Sequence, residues 1–274
     1  MITKEENETW TRVGKGTPGG EMLRRYWWPV TFGSLVQGKR PKKIRLLGED
    51  FVLFRDGNGK VGMIEPQCVH RRAPMEFGRV EADGIRCCYH GWKFDTQGKC
   101  LETPPEEPGS TLKDRVAMRS YPVQELAGLV FAYIGSAPAP LLPRYDLLVH
   151  EAPGTRYVYG NANNCNWVQT AENAADATHI PWLHAGPYPM VAAKRINIEF
   201  TEREYGMDCT TLAPGIESDK CSSLIFPSHN RFASARTEQG AARQNMIFRV
   251  PEDDTRTLNF FITFIPAKEG PFVH

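Results

Sequence analysis

Between Trp28 and Gly135 short apolar runs alternate with turn residues, a pattern that predicts small antiparallel sheets rather than helices. Residues 43–49 and 51–55 flank a tight turn at Gly48, Glu49 and Asp50. Asp56-Gly57-Asn58-Gly59 then reverses the chain into residues 60–65, a hairpin signal. A further turn is expected at Phe94-Asp95-Thr96-Gln97-Gly98. Pro104, Pro105 and Pro108 keep the next stretch out of regular sheet, and residues 118–123 and 129–134 complete an all-β unit. Gly135-Ser136-Ala137-Pro138-Ala139-Pro140 reads as a linker, which divides the chain into domains over 1–140 and 141–274. In the second domain, residues 164–184 predict one strong helix, followed by strands over 194–203, 207–212, 245–250 and 255–264. In the last of these, Leu258, Phe260, Ile262 and Phe264 alternate with Thr257, Asn259 and Thr263, so one face should be buried. The expected fold class is α+β: an all-β N-terminal domain, then a twisted antiparallel sheet with a helix against it.

Composition narrows this picture. A chain of 274 residues can bury a sizeable core, and its formal charge of +1 gives no reason to expect nucleic acid or an anionic membrane as a partner. No apolar run approaches the roughly 20 residues that span a bilayer, and the opening MITKEENETW is polar and acidic, unlike a signal peptide. The seven cysteines are an odd number, which fits a reducing, cytoplasmic setting better than a disulfide framework. Gly14-Lys15-Gly16-Thr17-Pro18-Gly19 has the letters of a dinucleotide-binding loop. No strand precedes it and Pro18 breaks the turn, so a loop followed by a short helix over 21–26 is expected instead.

The chemistry concentrates in residues 68–92. Cys68-x-His70 is followed, after sixteen residues, by Cys87-x-x-His90. Two thiolates and two imidazoles suit either a structural zinc or a [2Fe–2S] cluster with mixed ligands. A zinc finger groups its cysteines and then its histidines, whereas each loop here carries one of each. That arrangement fits a cluster in which one iron takes both cysteines and the other both histidines. The pattern Cys-x-His … Cys-x-x-His-Gly-Trp resembles the Rieske iron–sulfur family, and Gly91 and Trp92 match it. Cys87 rather than Cys88 keeps the two-residue gap, so Cys88 is expected to be a buried neighbour. Cys100, Cys165, Cys209 and Cys221 are likewise read as small buried hydrophobes. Where the family has glycine after the first pair, this chain has Arg72. The stretch WTRVGKGTPGGEMLRRYWWPV resembles the opening of phthalate-dioxygenase-like oxygenases.

In the helical stretch 164–184, Glu172, Asp176 and His179 fall on one helix face, and His184 lies about 140° further round an ideal helix. Pro181 would break the helix between the two histidines and let both reach one metal. Asn-Trp … Glu-Asn-x-x-Asp-x-x-His-x-x-x-x-His resembles the iron-binding segment of Rieske non-haem iron oxygenases. The resemblance implies His179 and His184 as ligands of a mononuclear Fe(II), Asp176 as a bridge between the two metal sites and Asn173 as a supporting group. The third, carboxylate ligand of such an iron lies far downstream in the family, and ninety residues follow His184. Asp208, Asp253 and Asp254 come too early for it, and Asp253-Asp254 reads as a hairpin turn. The chain is therefore expected to lack a C-terminal part.

These resemblances imply the oxygenase subunit of a Rieske system similar to phthalate dioxygenase, assembled as trimers. It would use O2 and electrons from a separate flavin- or iron–sulfur-containing, NAD(P)H-dependent reductase to hydroxylate, dihydroxylate or O-demethylate an aromatic substrate. A carboxylated substrate would want an arginine, and Arg195, Arg203, Arg236, Arg243 and Arg249 are equal candidates. Two other readings stay open: a Rieske electron carrier with a non-catalytic second domain, and a zinc-stabilised binding module.

Overall fold

The structure is a computed structural model that describes residues 2–38, 40–183, 197–212, 221–236 and 242–267. It divides into two compact units, Arg12–Pro143 and a second made of Met1–Thr11 with Arg144–His274. The expected 1–140 division thus differs at both ends. The opening helix α1 (Lys4–Thr11) groups with the second unit, and the boundary falls just after the linker.

In the unit Arg12–Pro143, Thr17 caps α2 (Pro18–Leu23), accepting from the Gly20 N–H at 3.1 Å, and Pro18 stands where a helix lacks an N–H partner anyway. The strands that follow are β1 (Trp28–Phe32), β2 (Lys42–Leu46), β3 (Glu49–Arg55), β4 (Val61–Ile64), β5 (Arg79–Glu81) and β6 (Gly84–Arg86). After them come β7 (Lys93–Phe94), β8 (Cys100–Glu102), β9 (Ser120–Tyr121), β10 (Val123–Leu126) and β11 (Leu129–Ala132). They make three antiparallel sheets in the orders β1-β11-β10, β2-β3-β4-β9 and β5-β6-β7-β8. The first hairpin turns one residue earlier than expected, on Leu47 and Gly48, both at positive φ (49° and 80°). The 56–59 turn stands as expected, with the Gly59 N–H donating to the Asp56 carbonyl at 3.0 Å. A core of Val52, Phe54, Ile64, Met75, Ile85, Phe94, Cys100 and Met118 also encloses Cys68, Cys87 and Trp92.

The second unit is built on a seven-stranded antiparallel sheet. Its elements are α3 (Asp146–Val149), β12 (Gly154–Asn163), α4 (Trp167–Glu172), α5 (Ile180–Leu183), β13 (Asn197–Arg203), β14 (Gly206–Leu212), β15 (Cys221–Ile225), β16 (His229–Arg236), β17 (Ala242–Pro251) and β18 (Thr257–Pro266). The strand order is β12-β18-β17-β16-β15-β14-β13. β12 is missing from the expectation because its sequence, GTRYVYGNAN, is mostly exposed and shows no apolar alternation. The prediction of one buried face on β18 needs correction. Phe260, Ile262 and Phe264 are buried, but so are Thr257, Asn259 and Thr263. Those polar side chains are satisfied by the Cys165 carbonyl, Asn161 and Asn245 at 2.9–3.0 Å, so burial leaves no hydrogen bond unmade. Among the described residues no helix is long and apolar enough to cross a membrane.

Candidate metal centres

The two ligand loops are copies of one backbone design. The first follows β4, and the second joins β6 to β7. In the first, the Cys68 N–H donates to the Ala73 carbonyl at 2.9 Å and the Arg72 N–H returns to the Cys68 carbonyl at 2.8 Å. In the second, Cys87 donates to Trp92 at 2.8 Å and Gly91 returns to Cys87 at 3.2 Å. Each loop therefore starts on its cysteine and needs a left-handed residue four positions later. Gly91 takes that place at φ 74°, and Arg72 takes it at φ 60°. The missing glycine thus leaves the loop shape intact, although an arginine there carries strain a glycine avoids.

The shared frame brings like ligands together. Cys68 and Cys87 are buried (1% and 3% exposed) and their thiols are neighbours. His70 and His90 are half-buried, with ring centroids 4.7 Å apart. Burial pushes the Cys68 thiol up to about 11; the neighbouring Cys87 adds to this, and the backbone N–H groups of His70 and Arg71 oppose it. A cation between the thiols would reverse that preference and deprotonate both. Desolvation, then His90 and Arg71, push His70 below its ordinary value, so the ring is neutral at pH 7 and able to ligate. Among the described residues no three His, Cys, Asp or Glu side chains converge as a single ion requires. The four predicted ligands divide into a thiol pair and an imidazole pair, the division a two-iron cluster with mixed ligands would need.

The surroundings correct one expectation and add a contact. Cys88 is exposed rather than buried, because Cys87 takes the inward position in the loop; Cys165 is only half-buried. Trp92, 5% exposed, stacks flat on His70, and its indole N–H is buried with no acceptor among the described residues. The exposed Tyr89 ring lies 3.8 Å from that of His90.

The second cluster of named residues sits at the end of α4. Asn166 caps this helix, accepting from the Val168 N–H at 3.0 Å. Its amide also donates to the carbonyls of Thr11 and Asp254, at 2.9 and 2.8 Å. Sequence reasoning missed that role, since neither partner is near in sequence. The break expected at Pro181 comes earlier: α4 ends at Glu172, a turn covers Asn173 to Ala175, and Pro181 lies inside α5. Beyond that turn Asp176 accepts from the Thr178 N–H at 2.8 Å and from its hydroxyl, a local bond that competes with helix there. Pro181 is tolerated because it falls in the first turn of its helix. Glu172 is exposed and shares no helix face with His179.

The turn still gathers the predicted residues. His179 Nδ1 hydrogen-bonds to the Asp176 carbonyl and lies 3.7 Å from the Asp176 carboxylate, while Nε2 lies 3.4 Å from the Asn173 amide. A carbonyl can only accept, so Nδ1 carries the proton and Nε2 keeps the lone pair a metal would take. The Thr178 hydroxyl, first of all, holds the Asp176 carboxyl below its ordinary value. Asp176 is exposed. His184 lies outside the described residues. Of the candidate arginines, Arg203 pairs with Asp208 at 2.7 Å, Arg249 is buried against Asn230, and Arg243 is exposed. Arg195 and the side chain of Arg236 lie outside the described residues. Asp253 accepts from the Thr255 N–H at 2.9 Å in the turn between β17 and β18, as expected.

Residues 26–122 match the Rieske [2Fe-2S] domain. The chain is 38% identical to the 5,5'-dehydrodivanillate O-demethylase oxygenase subunit of Sphingobium sp. (strain NBRC 103272 / SYK-6), over 100% of this chain and 66% of that protein. It is 35% identical to the phthalate 4,5-dioxygenase oxygenase subunit of Pseudomonas putida, over 96% of this chain and 64% of that protein. The chain thus spans a little under two thirds of these relatives. Among solved structures it is similar to the NdmA QL mutant of Pseudomonas putida CBB5 with caffeine. The TM-score is 0.75 at 20% identity, covering 92% of this chain and 76% of that one, a likeness of fold.

Proposed function

This chain belongs to the Rieske non-haem iron oxygenases, and from that premise we propose that its protein is the terminal oxygenase component of a cytoplasmic two- or three-component system. It would take electrons from a separate NAD(P)H-dependent reductase and use O2 to hydroxylate, dihydroxylate or O-demethylate an aromatic, carboxylated substrate. The observation that carries this reading is the pairing of ligands. Cys68 meets Cys87 and His70 meets His90 on matching loops, in a chain whose α4 turn also gathers Asn173, Asp176 and His179. Its relatives, an O-demethylase and a phthalate dioxygenase subunit, support the reaction class and the aromatic acid.

When bound, the cluster stores one electron and the mononuclear Fe(II) activates O2. Cys68 and Cys87 would hold one iron of the cluster as buried thiolates, and His70 and His90 the other as neutral imidazoles. His179 Nε2 would bind the mononuclear iron together with His184 and a carboxylate. Asp176 fixes the His179 tautomer through its own backbone carbonyl, which leaves its side chain to face a neighbour. In the homotrimer we propose, that neighbour is His90 of the adjacent subunit. Asn173 would guard the approach to Nε2.

The test is a visible spectrum with iron and sulfide quantitation on the complete protein, then O2 uptake with a reductase and a panel of aromatic acids and aryl methyl ethers. About three irons per chain and substrate-dependent O2 consumption are expected. About two irons without uptake would indicate an electron carrier, and a colourless protein would overturn the cluster.

A further inference from the structure

The second ligand loop is held by more than its own backbone. Arg86 immediately precedes Cys87 and Lys93 immediately follows Trp92, and the two are register partners across β6 and β7. Two cations directly opposite on a sheet repel, yet here carboxylates are laid between them. Arg86 donates through Nε and Nη2 to both oxygens of Glu81, at 2.6 and 2.9 Å, and through Nη2 to Glu102 at 2.8 Å. Lys93, almost fully buried, meets Asp83 at 2.5 Å and both Glu81 and Glu102 at 3.3 Å. The remaining Arg86 nitrogen, Nη1, donates to the Gly91 carbonyl at 2.8 Å. Gly91 is the left-handed residue on which the loop turns. The guanidinium therefore has one edge on a carboxylate pair and one nitrogen on the loop, a fork that lysine's point charge cannot reproduce.

We propose that Arg86 is a positioning residue for the Rieske cluster: braced by Glu81 and Glu102, it fixes the Cys87–Trp92 loop through Gly91 and sets the charge under which the cluster is reduced. The inference rests on the cluster being held by the four ligands named above. Reduction adds a negative charge, so a nearby cation favours the reduced form and a nearby carboxylate opposes it. Arg86 and Glu81 should accordingly act with opposite sign, which a purely structural role would not produce.

The experiment compares wild type, Arg86→Met, Arg86→Lys and Glu81→Gln in the complete protein, by spectroelectrochemistry and electron paramagnetic resonance of the cluster. At a potential fixed at the wild-type midpoint, Arg86→Met should lower the reduced-to-oxidised ratio about threefold or more, and Glu81→Gln should raise it by a similar factor. Arg86→Lys keeps the charge and loses the fork. It should hold the ratio within about twofold while shifting the resonance signature and bleaching faster under a chelator. If Arg86→Met fails to retain cluster, Glu81→Gln and Arg86→Lys decide the matter. Wild-type ratio in Glu81→Gln together with a wild-type signature in Arg86→Lys would overturn the proposal. A wild type without any Rieske spectrum would instead overturn the cluster itself.

Discussion

The Trp92 indole lies flat against the His70 imidazole, the two rings parallel to within 1° and 4.4 Å apart. The contact ties the second ligand loop to the first, so neither histidine-bearing loop is oriented alone. Trp92→Ala should cost about 3–5 kcal/mol of stability and speed loss of the visible band under a chelator. Trp92→Phe keeps a ring against His70 and removes a buried N–H that has no acceptor among the described residues, so it should retain the cluster. Thermal unfolding and timed bleaching check both; equal bleaching in wild type and Trp92→Ala would mean the stack does not orient His70.

The equivalence of Arg72 and Gly91 can be tested by exchange. A Cβ on Gly91 would approach nothing nearer than Pro104, at 3.5 Å, so space is available and only the backbone angle objects. Gly91→Ala should therefore lose about 1–2 kcal/mol, and Arg72→Gly should stay within about 1 kcal/mol of wild type. Both should keep the spectrum. A larger loss for Arg72→Gly than for Gly91→Ala would show that the arginine side chain, not the loop, matters at position 72.

Adjacent cysteines should behave oppositely. Cys87→Ser removes a buried thiol paired with Cys68 and should abolish the cluster spectrum, whereas Cys88→Ser alters an exposed side chain and should leave it nearly unchanged. Bleaching by Cys88→Ser alone would shift the ligand frame by one residue.

The contrast between the two sites explains what was legible in the chain. At the cluster, the candidate ligands Cys68, His70, Cys87 and His90 follow from spacing inside short loops closed by their own hydrogen bonds, so they could be proposed without knowing what surrounds them. The stretch around His179 could not be drawn the same way. The residue types point to a helix broken at Pro181, but α4 ends at Glu172, and the Asp176–Thr178 bond, a competition between side chain and backbone, keeps the segment beyond it out of the helix. Longer-range facts were out of reach for another reason. That α1 belongs with the second unit accompanies Asn166 reaching Thr11, and that Arg86 meets the Gly91 carbonyl and Glu102 depends on which strands pair. Neither leaves a local pattern.

His229 should give the second unit a pH dependence of its own. It is 3% exposed, between Tyr145 and Phe248, and burial, with Arg249 adding, pushes its pKa from 6.5 down to about 3. The folded state thus holds the ring neutral while the unfolded chain protonates it below about pH 6.5. Its contribution to stability is complete above that pH and is lost as pH falls from 6.5 towards 3. Between pH 6 and 5, wild type should lose about 1.4 kcal/mol per pH unit more than His229→Phe does. Urea unfolding at several pH values measures the two slopes, and identical slopes would exclude His229 as the source.

Asp176→Asn is the sharpest test of the second site. One carboxylate oxygen is taken by Thr178, and the other lies 3.7 Å from the His179 ring, whose Nδ1 is already satisfied by the Asp176 carbonyl. The side chain is therefore not required to hold His179, and exposure leaves it able to meet a group from outside the subunit. Asparagine preserves size and an acceptor for Thr178 but removes the charge. Both metals should remain at wild-type occupancy, and the Rieske spectrum should be unchanged. If Asp176 links the His179 site to His90 of an adjacent subunit, substrate oxidation should nevertheless fall by about 10- to 100-fold. The measurement is single-turnover re-oxidation of pre-reduced cluster in the complete protein, with substrate and O2. An iron-replete Asp176→Asn protein that re-oxidises at the wild-type rate would remove Asp176 from the route. Loss of iron would instead make it a support for His179, because the charge would then be needed where the metal binds.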